Sequence, residues 1–177
     1  LHSLTKPKKV SLISGIHDLL PNRTGGAVMQ KNLETLGDIQ YTEEEIKFAL
    51  EMQENNGKPK IGIDGKIRPL RETLESPGGG STDVGDVSYN VPVVSLAATT
   101  APKGVPWHSW SVVASSGMSI GHKGMLHATK ALGMTMVDIF KDENLRKQIK
   151  KEFDERIGDY KYDPFLNPGP PPIDYVD

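Results

Sequence analysis

The sequence of 177 residues contains no cysteine. That absence excludes a disulfide framework and thiolate metal ligation. A reducing, cytoplasmic setting fits it. No apolar run approaches the eighteen or so residues of a membrane span, so no membrane partner is expected. The opening LHSLTKPKKV has no apolar signal core, and no secretory signal is expected. It starts at Leu1 rather than methionine, as expected of a piece of something larger. Excess charge of one sign is missing too: 21 basic against 23 acidic residues leave a net charge of −2. No whole-molecule field therefore draws nucleic acid. A phosphate loop, a calcium loop and the H-E-x-x-H metal motif are all absent.

What is present belongs to a soluble globular protein, with 36% apolar and 25% charged residues. The length suits one domain with a sizeable core. Residues 8–20 alternate enough to read as a strand ended by Pro21-Asn22. Residues 24–36 place Met29, Leu33 and Leu36 on one face of a short helix, stopped at Gly37. Residues 42–56 open with Thr42 and Glu45 in capping-box spacing, and the early acids suit the helix dipole. Asp64-Gly65 is a weak hairpin signal. Residues 91–99, VPVVSLAAT, read as a buried strand, and SVVAS (111–115) as another short one. Ser119 opens a long helix to about Phe140 whose apolar residues go most of the way round, which predicts burial on more than one side. Asp142 caps a final helix to about Ile157, with Gly158 as its stop. The proline-rich tail, 159–177, reads as extended, draped on the body or disordered. Strands alternating with helices predict an α/β layer architecture.

Two stretches concentrate polar chemistry. PGGGSTDVGDVSYNVP, from Pro77 to Pro92, sets glycines and two acids ahead of a strand. Its glycines permit close backbone approach, while Asp83 and Asp86 equally suit an Asx-turn or a cap. PWHSW, from Pro106, puts His108 between Trp107 and Trp110 at the end of a loop leaving a strand. A hydrogen-bonded structural role is the ordinary fate of a lone histidine, and packing that of the tryptophans. No basic stripe accompanies them, against nucleic acid. His122 and His127 are five apart and do not share a helix face. Asn22-Arg23-Thr24 matches a glycosylation sequon, with nothing else pointing to secretion. The basic cluster at 146–151 reads as a solvated face.

Three stretches, in order and spacing, carry a resemblance: LLPNRTGGAVMQKNLETLGDIQYTEEEIKFA (19–49), GGSTDVGDVSYNVPVVSLAATTAPKGVPWHSW (79–110) and GMSIGHKGMLHATKALGMTMVDIF (117–140). Together they resemble the C-terminal part of the aminobenzoyl-glutamate-utilization members of the aminoacylase and carboxypeptidase group of dinuclear metallohydrolases (peptidase clan MH). The resemblance implies the C-terminal half of a layered α/β metallopeptidase catalytic domain. Residues 1–20 would be the last strand of an inserted lid, which usually mediates dimerisation. Residues 21–158 would be catalytic domain and 159–177 the tail. The implied activity is hydrolysis of the amide between an aromatic acyl group and glutamate. Its implied partners are a small acyl-amino acid substrate and a homo- or hetero-oligomer.

The resemblance also implies two divalent ions, zinc or manganese, which acidify a shared water and polarise the amide carbonyl. His108 matches the last metal ligand by context. Asp83 and Asp86 are candidates to hold its ring, with Ser81 and His122 nearby in the pocket. Gly79 and Gly80 would let backbone amides approach the substrate. Asn22 and Arg23 would meet the glutamate carboxylate, although a helix cap is an equal reading of Asn22. The sequence departs from the group in lacking an H-x-D or C-x-H segment and a Glu-Glu pair followed by catalytic-domain sequence; Glu43-Glu44-Glu45 is a helix start, a poor stand-in. The chain alone is therefore expected to lack a complete dinuclear site and to expose an apolar patch. A non-catalytic assembly domain of the same fold, and a mononuclear site of Asp83, His108 and His122, are the other readings.

Overall fold

The computed structural model describes residues 15–70, 82–166 and 169. Among them the architecture is helical: α1 (Arg23–Leu36), α2 (Glu43–Asn55), α3 (Val84–Ser88), α4 (Trp110–Ser116), α5 (Ser119–Lys141) and α6 (Glu143–Ile157). The helices foreseen at 24–36, 42–56, 119–140 and 142–157 form, and local chemistry explains each end. Asn22 accepts the Gly25 N–H at the start of α1. Thr42 and Glu45 exchange the two bonds of a capping box. Asp142 accepts the Leu145 N–H, and Gly158 closes α6 at positive φ.

The α/β expectation is overturned. Among the described residues there is no sheet, only an isolated parallel bridge between Pro21 and Val93. The Asn22 N–H donates to the Val93 carbonyl there at 2.9 Å. Residues 91–99, expected as a buried strand, are irregular, and none of them is buried. A strand needs a neighbour to satisfy its backbone, and this segment has one only at Val93. The hairpin expected at Asp64-Gly65 is irregular chain. Of the strand expected at 8–20, residues 8–14 lie outside the described part and 15–20 are irregular. SVVAS is helical, inside α4, because Ser111 and Ser115 form its buried face while Trp110 and Val113 point outward.

Helix α5 is the hub, packed by α1, α4 and α6. Its covered side is made of small residues, Gly121, Gly124, Ala131 and Thr135, with Ile120. A β-carbon on Gly124 would collide with the Thr99 carbonyl oxygen, so α5 lies directly on the 91–99 segment. The Asn32 amide ties α1 to α5, donating to Thr135 Oγ1 at 3.0 Å and to Asp138 Oδ2 at 2.8 Å. Burial on more than one side was expected of α5, but Met125, Leu126, Met136 and Phe140 are exposed on its other half.

Helix α2 buries Ala49 and Met52 on one face, and polar side chains on that same face fasten it. Lys123 Nζ lies 2.6 Å from the buried Glu45 carboxylate and also donates to the Gln40 carbonyl. Burial pushes the Glu45 carboxyl up, but bonds from Lys123, Ser119 and the Thr42 amide outweigh it and hold the carboxyl below its ordinary range. Burial, with Glu45 and Asp64 nearby, drives the Tyr41 hydroxyl up to about 12. At the other end of α2, Gln53 is fully buried. Its amide donates to the Gly62 and Lys103 carbonyls at 2.8 and 2.7 Å and accepts from the Gly62 N–H at 2.9 Å. Asn56 reaches Ser111 Oγ at 2.7 Å. All buried side-chain nitrogens and oxygens among the described residues have partners.

Replacing Gln53 by Met keeps the volume and removes all three bonds. The Gly62 N–H and the Lys103 carbonyl then lose partners, which should cost about 2–3 kcal/mol. Urea unfolding of the variant beside the parent measures it; a loss under about 0.5 kcal/mol would remove Gln53 from this role.

Candidate functional site

The histidine of PWHSW sits in a turn held at both ends. Gln53 grips the Lys103 carbonyl ahead of it, and Asn56 grips Ser111 behind it. Val105 is buried between them. Ser109 Oγ donates to the Pro106 carbonyl at 2.6 Å. His108 is the one non-glycine residue with positive φ among the described residues, at 59°. That left-handed conformation costs an ordinary side chain on the order of 1 kcal/mol and persists only where the surroundings impose it. The turn presents His108 to solvent, flanked by Trp107 at 71% and Trp110 at 59% exposure. Packing was expected of both tryptophans, and neither packs. An exposed imidazole can donate a proton, accept one or bind a metal ion.

The acidic stretch builds a different structure. Of STDVGDVS, the described residues 82–88 form α3 and its approach. Gly85 sits directly under the His17 carbonyl, where any β-carbon would clash. Ser88 Oγ takes the Leu20 N–H at 2.9 Å and donates to the Gly85 carbonyl at 2.6 Å. Asp86 Oδ1 takes both the His17 backbone N–H, at 3.1 Å, and His17 Nδ1, at 2.6 Å. The carboxylate accepts, so Nδ1 carries the proton. His17 Nε2 meets the Tyr160 hydroxyl at 2.6 Å. Phe165 stacks on the ring with centroids 4.4 Å apart, and Tyr89 and Tyr162 lie within 5.2 Å. The tail is thus draped on the body as far as Phe165. The His17 ring and amide hold the Asp86 carboxyl below its usual range.

Asp86, a candidate to orient His108, is thus engaged by His17. Asp83 precedes α3, exposed and without a side-chain capping bond. His122 is exposed in the first turn of α5. Gly79, Gly80 and Ser81 lie outside the described residues. Asn22 is buried and caps α1 while its amide donates to the Ile149 carbonyl at 2.9 Å. Glu152 accepts the Arg23 and Thr24 N–H groups, each at 2.7 Å. Burial raises the Glu152 carboxyl, but the Thr24 hydroxyl and those two amides hold it below the ordinary range. Arg23 itself lines an open groove with Gln148, Lys151 and Arg156.

Among the described residues no three His, Asp or Glu side chains gather where one ion could bind them. His108 offers a single imidazole donor, and Asp83, His108 and His122 do not assemble into a mononuclear site. The described residues do not by themselves make a metal centre. The Asp86–His17–Tyr160 chain escaped sequence reading because its members lie 69 and 143 positions apart in pairs. No periodicity links residues at such separations. The glycines of GHKGM, by contrast, have a packing cause: Gly121 meets the Ser116 carbonyl and Gly124 that of Thr99.

The chain is similar to the B subunit of p-aminobenzoyl-glutamate hydrolase from Escherichia coli (strain K12). The two are 33% identical over 157 residues, covering 75% of this chain. The chain spans about a third of that relative's length, 33%. No family model matches it. No solved structure matches it either. Over this part the chain is related to that hydrolase subunit. No helix among the described residues is long and apolar enough to cross a membrane.

The depressed Asp86 carboxyl has a pH consequence. A carboxyl lowered by folding stabilises above its unfolded value, about 3.9, and the contribution fades as pH falls through the lower folded value. Asp86→Asn should therefore melt below the parent at pH 7, and the gap should close below about pH 4. Thermal melts of both proteins from pH 7 to pH 3 check it; a gap that persists unchanged to pH 3 contradicts the role given to the His17 hydrogen bonds.

Proposed function

We propose, on the premise of that relationship, that this chain forms one part of a metal-dependent amidohydrolase. The enzyme would cleave p-aminobenzoyl-glutamate, or a similar acyl-amino acid, to aminobenzoate and glutamate. His108 is this chain's contribution to the metal centre. The observation that carries the reading is the His108 turn. It is fastened from both sides, held left-handed and turned outward, and it lies in one of the three stretches that carry the resemblance. A histidine with a purely packing role has no need of that presentation.

The donor set limits what the chain does alone. One imidazole does not retain a catalytic ion, which needs three protein ligands or more. The remaining donors, and the general base, belong to protein outside these residues. A zinc or manganese ion bound there would polarise the amide carbonyl and acidify water. This chain's own task is to hold one imidazole at a fixed place on the edge of α4. Gln53 and Asn56 act as positioning residues for that turn. The exposed Arg23 shares its groove with Lys151 and Arg156, which pair with Glu155 and Glu152, and is the group there that would meet a substrate carboxylate.

The test replaces His108 by Ala in the assembled hydrolase. Activity on p-aminobenzoyl-glutamate should fall by at least about 100-fold with assembly intact, and bound metal should fall with it. The isolated chain, incubated with zinc or manganese and freed of excess, should retain no stoichiometric metal. Unchanged activity in His108→Ala would leave the chain an assembly domain without a catalytic part. One or two ions held tightly by the chain alone would refute the shared centre.

A further inference from the structure

Helix α5 is built with two unlike sides. At 100° per residue, one half carries Gly121, Gly124, Ala131 and Thr135, all covered by α1, α4, α6 and the 91–99 segment. The opposite half runs from His122 to Phe140, about 27 Å along the axis. It carries Met125, Leu126, Leu132, Met136, Val137 and Phe140, between 43% and 75% exposed. No charged residue falls on that half; Lys130 borders it, and Lys123, Asp138 and Lys141 lie beyond its edge. The helix thus uses its small residues for its own fold and turns its large apolar ones outward. A solvated helix face carries charge, and an uncharged strip of this length marks an interface. Trp110 and Val113, on the adjoining α4, are exposed as well.

We infer that this half of α5 is the seat of the remainder of the hydrolase. The occupant is a polypeptide with an equally uncharged apolar face, corresponding to the length of the relative that this chain does not match. The inference rests on the function proposed above and adds to it the surface of assembly. Two observations select this occupant. The chain aligns with only a third of the related hydrolase, so most of that protein has no counterpart in these residues. The chain also exposes two imidazoles, His108 and His122, that gather with no further metal donors among the described residues, so the missing donors must arrive on protein that docks here. A second copy of the chain would cover apolar surface but bring only the same ungathered donors, His108 and His122. The strip leads from Phe140 back to His122 in the first turn of α5, and α4, packed on α5, carries the His108 turn at its start.

The absence of cysteine makes the test direct. The chain is co-expressed with the part of the E. coli relative outside the alignment and purified through a tag on the chain. The expected product is a one-to-one complex by light scattering. Within it, Met136→Cys should react with maleimide at least about tenfold more slowly than in the isolated chain. Leu132→Glu with Met136→Glu should abolish the complex while leaving the helix content and melting temperature of the isolated chain unchanged. No complex, or a complex untouched by the two glutamates, overturns the inference. So does a dimer of the chain alone that the same glutamates break, since the face then belongs to a second copy. A complex that hydrolyses p-aminobenzoyl-glutamate with Met136→Cys unprotected sinks this interface and leaves the functional reading standing. A protected complex whose activity ignores His108→Ala does the reverse.

Discussion

One fully buried amide, that of Gln53, holds together parts of the molecule that no sheet is there to organise. In a layered α/β protein the backbone of a connecting segment is satisfied by neighbouring strands. Here residues 56–70 and 91–109 are irregular among the described residues, and their polar groups must find side chains instead. Gln53 provides one donor group and one acceptor at the point where the two segments meet, bonding Gly62 twice and Lys103 once. Around that point the Lys103 N–H reaches the Gly62 carbonyl, and Thr99 Oγ1 donates to the Asp64 carbonyl. Because the Lys103 carbonyl lies five residues ahead of His108, the geometry of the exposed histidine is inherited from a glutamine near the end of a different helix. Specificity that rests on buried amides is strict: each lost partner leaves a polar group in a dry place.

The same pattern runs through the core. Buried polar side chains, Asn22, Asn32, Glu45, Ser111, Ser115 and Thr135 among them, stand beside a short roster of buried apolar ones such as Met29, Met52, Ile120 and Phe153. The large apolar residues lie elsewhere, on the outer half of α5 and on α4. Hydrophobic burial is the dominant favourable term in folding, and a domain that leaves so much of it exposed draws more of its cohesion from polar networks. The Glu45–Lys123 pair, the Asn32 bonds and the Asp86–His17–Tyr160 chain are where that cohesion resides.

Helix ends were legible because their signals are local. Thr42 with Glu45, Asp142 with Leu145 and the stop at Gly158 act within a few residues, and no neighbour is needed to make them work. Strands were not, since a strand exists only by virtue of a partner. VPVVSLAAT has the composition of one, yet only Val93 pairs. SVVAS misled for a different reason. In α4 the serines are inside and Trp110 and Val113 outside, so apolar periodicity points to the side of the helix that this fold does not cover. In α5 the all-round apolar pattern predicted burial on more than one side, and only one side is covered among the described residues. The acids of the glycine-rich stretch were read toward His108, but Asp86 pairs with His17 because Gly85 brings that backbone within reach.

These discrepancies share a direction. An irregular segment paired only at Val93, a short helix with its tryptophan outward and a long helix with half its apolar side bare each leave apolar surface uncovered among the described residues. The polar residues tell the complementary story, since those inside are already satisfied and ask for nothing more. A covering layer would therefore gain apolar burial without breaking existing bonds, at about 25 cal/mol for each Å² removed from water. It would also close over the edge of α4. There the turn already holds the His108 backbone in its left-handed conformation, so the entropy of fixing that backbone is met before any partner arrives. Completion of the core and completion of the centre would then be one event, with the imidazole desolvated by the same surface that supplies the other donors.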